Sequence, residues 1–137
     1  MTTLISIESP TQSDYLATLC QEHLSDNERT YVVHAPETED NQNTWDDCRN
    51  TCAALGESWS FHFAHEGKKP AERIITFAED RDVGQIILIA PDRTATGKIK
   101  IGSTTADLLF ADSIRGDFTV DGDFLYLEDL TYVPTSE

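Results

Sequence analysis

The residues best suited to chemistry lie between Ile87 and Leu109, in the stretch ILIAPDRTATGKIKIGSTTADLL. Arg93, Gly97, Lys98 and Lys100 share one polar loop, and Gly102-Ser103-Thr104 follows it. The apolar run from Gln85 to Ile89 before the loop reads as a fully buried strand, and Gly102-Ser103-Thr104 opens an amphipathic helix. The first amides of a helix have no partner within it, and the helix dipole favours negative charge there. A strand that feeds a helix through a glycine-containing basic loop therefore predicts an anion site. The amides of Gly102, Ser103 and Thr104 are expected to donate to the anion, the Ser103 hydroxyl to add a bond, and Arg93 and Lys98 to neutralise charge. The chain carries 25 acidic against 10 basic residues, yet seven of the ten lie between Lys68 and Lys100. The plainer alternative makes Lys98 and Lys100 solvated side chains ahead of a helix.

Other groupings are weaker. Cys48 and Cys52 lie four apart on a predicted helix, and His62 and His65 follow, but the spacing fits no zinc motif; buried helix cysteines explain the pair better. No Ser-His-Asp order, GxSxG elbow or Walker motif occurs. Scattered acids make carboxylate pairs by chance. The expectation is a protein without a catalytic residue or a metal centre, with Trp45 and Trp59 in the core.

The elements that must position these residues follow from periodicity. Strands are predicted at Thr3–Ile7, Thr30–Ala35, Trp59–Ala64, Gln85–Ile89, Asp117–Val120 and Phe124–Leu127. Helices are predicted from the Ser9–Ser13 region through Leu24, over Thr44–Gly56, from Pro70 to about Asp82, and over Ser103–Phe110. Pro36–Asn43 reads as a loop, Asp121-Gly122 as a hairpin turn, and the tail after Val133 as frayed. Four strand–helix units followed by a fifth strand predict an α/β fold around a parallel sheet. Ligands of such sheets sit at the carboxyl ends of the strands, at the switch point, which places the loops after Ile7 and Ile89 together.

The length of 137 residues suits one domain, residues 1–137, with residues 121–137 as a C-terminal hairpin extension and tail. The net charge of −15 works against nucleic acid and anionic membranes as partners. The acids are spread along the chain and lysine is scarce, as expected of a salt-in halophile; an ordinary acidic cytosolic protein is the alternative. MTTLISIESP has neither a basic leader nor a long apolar stretch, and no run approaches the ~20 residues of a membrane span. A cytoplasmic location is expected, with Cys20, Cys48 and Cys52 as free thiols.

Over nearly its whole length, and most strongly from His65 through Val120, the chain resembles the universal stress protein family, the UspA-like domains. Glu66-Gly67, Pro70-Ala71, Val83-Gly84-Gln85 and Gly102-Ser103 stand where that family carries its turn, helix start, strand entry and phosphate-side helix. The resemblance implies a three-layer, doubly wound α/β fold with parallel strands in the order 3-2-1-4-5. The C-terminal strand or hairpin would be extra. It also implies a homodimer through the last strand and a regulatory role in stress response. Some members bind ATP through Gly, two residues, Gly, nine residues, then Gly-Ser or Gly-Thr. Counting back from Gly102-Ser103 puts Asp92 and Ile89 in place of the first two glycines, with Ala90 in place if one residue is skipped. Glu8-Ser9 stands where an Asp and a Gly-Ser commonly end the first strand. The resemblance implies a degenerate site for ATP, another adenine nucleotide with magnesium, or another small anion. Glu8, Ser9 and the backbone of Val33, His34 and Ala35 would face the nucleoside, and His34 would stack on the base or cap the strand end. The alternatives are a ligand-free dimerising module and, less favoured, a slow ATP hydrolase.

Overall fold

The computed structural model describes residues 2–23, 29–36 and 45–133. The expected loop over residues 37–43, the end of the first predicted helix at Leu24, the start of the second at Thr44 and the tail after residue 133 lie outside these residues. Among the described residues six strands and four α-helices follow one another: β1 (Thr3–Ser6), α1 (Asp14–His23), β2 (Thr30–His34), α2 (Asp46–Leu55), β3 (Trp59–Phe63), α3 (Pro70–Asp80), β4 (Gln85–Ile89), α4 (Ser103–Leu109), β5 (Ile114–Asp121) and β6 (Phe124–Tyr132). A 3₁₀ turn, Pro10–Ser13, leads into α1.

The central strands are apolar on both faces because helices cover both. Ile86, Leu88 and Leu4 pack with Ile74, Ile75 and Ala78 of α3 and Leu108 of α4. Ile87 and Ile5 point the other way, into Leu16 and Leu19 of α1 and Trp45, Cys48 and Cys52 beside or within α2. A strand buried on both sides reads as an unbroken apolar run, which is why Gln85–Ile89 was recognisable. Pro70 starts α3 with its φ already set and no amide to lose.

The strand order is β3-β2-β1-β4-β6-β5. The expected order 3-2-1-4-5 is therefore corrected. β1, β2, β3 and β4 are parallel, but β6 occupies the place beside β4 and runs antiparallel to it, Ile87 opposite Tyr126. β5 is displaced to the edge and, among the described residues, pairs only with β6. The cause is burial. Phe124, Leu125, Tyr126 and Leu127 form a continuous apolar run that fills both faces, whereas β5 alternates Asp117, Thr119 and Asp121 with Phe118 and Val120. Gly122 makes the tight turn between them at φ 61°. Opposite Gly116 the pairing slips by one residue, and Asp129 takes a left-handed conformation. A Cβ on Gly116 would stand 2.7 Å from the Glu128 carbonyl oxygen, so the close approach of the two strands requires glycine there. Tyr132 at the end of β6 donates its hydroxyl to the Val83 carbonyl and closes the hairpin onto the α3–β4 turn.

Candidate functional site

The loops after β1 and β4 lie side by side, as the switch-point rule predicts. They enclose a cleft of about 150 Å³ lined by Glu8, Gln12, Ala90, Pro91, Asp92, Lys100, Ile101, Gly102 and Thr105. Of the residues singled out in the sequence, Glu8 and Gly102 meet here. Lys100 and Asp92 line the same cleft.

The remaining candidates lie outside this cleft's lining. Arg93 is a clamp: its guanidinium donates to the carbonyls of Ala90 (2.8 Å), Asp92 (3.0 Å) and Gly122 (2.6 Å) and approaches Asp123 at 3.6 Å. It ties the β4 loop to the β5–β6 turn. The loop folds back on itself as a small antiparallel ribbon, with Arg93 bridging Ile99, the Thr94 amide bonded to the Lys98 carbonyl and the Lys100 amide bonded to that of Asp92. Gly97, at φ 84°, turns the ribbon, and the Thr94 hydroxyl accepts from the Lys98 amide. Lys98 thus stands at the ribbon tip, not beside α4. Amides that an open glycine-rich loop would offer to phosphate are bonded within the ribbon.

The nucleoside side is similarly occupied. The Val33 carbonyl accepts from the Ile7 amide and the His34 carbonyl from the Ala64 amide, so sheet pairing uses both. His34 Nδ1 lies 2.9 Å from the Ile7 carbonyl, and its ring stacks on Trp45 at 4.2 Å between centroids. The stacking partner expected to be a base is the indole of α2's leading residue. The Ser9 hydroxyl pairs with that of Thr11 at 2.7 Å, and the Glu8 amide donates to the Gln12 side chain at 2.8 Å. Ser103 and Thr104 begin α4 outside the cleft lining, and Gly102 caps the helix without a side-chain bond.

The Glu8 carboxylate reaches the start of α4. A Cβ built on Gly102 would stand 3.3 and 3.4 Å from its two oxygens. A carboxylate at that position lies at the positive end of the helix dipole. Glu8 is a candidate in the sequence; its approach to Gly102 joins the loops after the adjacent strands β1 and β4 and has no local signal.

Cys48 and Cys52 are buried, and sulfur-to-sulfur hydrogen bonding together with burial pushes the Cys52 thiol up. Among the described residues no cluster of three or more His, Cys, Asp or Glu could hold a metal. His62 Nε2 pairs with the Ser60 hydroxyl at 2.8 Å, and the ring packs against Tyr31 and Phe77. Burial, then the charges of Arg81 and Arg49, holds the His62 pKa below its ordinary 6.5. Above that value the ring is neutral in both folded and unfolded chains. As pH falls through it, the unfolded chain takes the proton first and stability declines. A melting series from pH 7.5 downward is expected to show this loss, and His62→Phe to flatten it. Equal pH slopes for the two proteins would refute that role.

No protein-family model matches the chain, and no curated protein matches it. Its fold is similar to that of the universal stress protein from Archaeoglobus fulgidus, with a TM-score of 0.62 at 20% identity, over 81% of this chain and 92% of that one. The likeness is one of fold: a doubly wound α/β sheet with helices on both faces. No helix among the described residues is long and apolar enough to cross a membrane.

Proposed function

We propose that this chain is a cytoplasmic regulatory protein of the universal stress type that acts as a homodimeric interaction module, without catalysis and without a bound nucleotide. The observation that carries this reading is the Glu8 carboxylate against Gly102. A triphosphate there would displace an internal anion or sit beside it, with Asp92 adding a second like charge from the cleft wall. The size of the cleft agrees: about 150 Å³, against roughly 300–1,000 Å³ for ordinary small-molecule sites. Arg93, expected to neutralise the anion, lies outside the cleft lining and is already committed to three carbonyls.

A degenerate nucleotide site is the second reading, favoured by Lys100 and Gly102 on one cleft wall. In that reading Glu8 would help hold a magnesium ion that offsets the charge of the phosphates. Thermal melts with and without magnesium–ATP separate the two. A ligand at 100 times its Kd stabilises a protein by about 2.7 kcal/mol, a shift of several degrees. The expected result is no shift, for the wild-type chain and for Lys100→Ala alike. A shift in the wild type that Lys100→Ala abolishes would replace the ligand-free reading with the nucleotide one.

A further inference from the structure

The end of α4 and the start of β5 enclose a groove of about 550 Å³, within the roughly 300–1,000 Å³ of ordinary small-molecule sites. Leu108, Leu109 and Phe110 line it from the helix end, Ile114 and Phe118 from β5, and Leu127 from β6. Phe110 and Phe118 are 82% and 48% exposed. Clustered apolar exposure of this kind, in a chain with a net charge of −15, marks a binding surface. Among the lining residues Arg115 alone is charged. The chain has six arginines, and the other five are engaged. Arg73, Arg81 and Arg93 donate to carbonyls, and Arg29 and Arg49 lie over aromatic rings. Among the described residues the Arg115 guanidinium has no ion pair and no hydrogen bond. Strict alternation along β5 would put Arg115 on the face opposite Ile114 and Phe118. The register slip between Arg115 and Asp117 interrupts that alternation, and all three line the same groove.

We infer that this groove binds a free fatty acid, its hydrocarbon chain along the apolar lining and its carboxylate on Arg115. The inference goes beyond the assembly proposed above and does not depend on it. The lining selects the class. Apart from Arg115, no side chain there can form a hydrogen bond. A sugar or a nucleobase would therefore bury polar groups without side-chain partners, at a cost that a hydrocarbon chain does not meet. Arg115 accounts for one anionic end, because the guanidinium fork donates two parallel hydrogen bonds to a carboxylate. No carboxylate of the chain lines the groove to compete for it.

The test is isothermal titration of the full, delipidated chain with decanoate at one fixed ionic strength, with hexanoate and decanol for comparison. One decanoate per chain is expected to bind. Hexanoate, four methylenes shorter, is expected to bind at least tenfold more weakly, since each buried methylene changes affinity by up to about fourfold. Arg115→Gln is expected to weaken decanoate about tenfold and to leave decanol unchanged. Arg115→Glu is expected to reverse the preference in favour of decyltrimethylammonium. Arg115 is exposed, so both variants are expected to fold, which circular dichroism checks. No binding, several decanoates per chain, or equal affinity in the wild type and Arg115→Gln overturns the proposal. So does a groove closed by a second copy, in which decanoate is excluded and Phe110→Ser turns a dimer into a monomer by sedimentation. A monomeric wild-type chain that binds decanoate as expected supports the fatty-acid site and overturns the homodimeric reading alone.

Discussion

A chain that stops after Val120 is expected to lose cooperative folding. The C-terminal segment looks like an appendage in the sequence, but β6 is the strand between β4 and β5. Removing it strips β4 of its ladder from Gln85 to Ile89 and leaves β5 with no partner in the sheet. It also removes Phe124, Leu125, Tyr126 and Leu127, all buried. At about 1.5–3 kcal/mol for each fully buried side chain, the four contribute roughly 6–12 kcal/mol, comparable with the 5–15 kcal/mol total stability of a typical domain. Urea unfolding followed by circular dichroism checks this. A truncated chain with a sharp transition near that of the full chain would show that β6 is dispensable. Among the described residues β6 covers the edge of β4, and β5 forms the edge of the sheet.

Trp45→Ala is expected to cost about 3–5 kcal/mol, the usual price of deleting a buried aromatic side chain, and to lower the melting temperature by roughly 10–20 °C. The indole is 2% exposed and lies between the His34 ring at 4.2 Å and the Phe61 ring at 5.4 Å, with Phe63 edge-on. It fixes His34 over the end of β2. Trp45→Phe, which keeps a ring in the gap, is expected to recover much of the loss. A penalty below about 1 kcal/mol for Trp45→Ala would mean that the ring acts as a surface platform and not as core.

Both results turn on what was legible in the chain. The starts of α3 and α4 and the limits of β4 were readable because Pro70, Gly102 and the run QIILI act locally. The proximity of the β1 and β4 loops followed from topology, since parallel neighbours bring their carboxyl ends together. The strand order did not follow, although a signal was present. FLYL is a doubly buried run and DFTV an alternating one, so the later strand belongs inside and the earlier one at the edge. Family resemblance favoured the sequential order and obscured that pattern.

The anion site divides in the same way. Residue types alone marked the stretch from Arg93 to Thr104, because cations before a helix start are scarce in so acidic a chain. They could not show that Arg93 bends back to three carbonyls or that the Glu8 side chain reaches Gly102, since those contacts join segments up to about a hundred residues apart. The sequence by itself determined the elements, the doubly covered sheet and the place where its loops converge, all set by short-range periodicity and turn chemistry. Only the tertiary structure decided which strand closes the sheet and whose charge meets the α4 N-terminus. Both depend on long-range competition for burial and for hydrogen-bond partners.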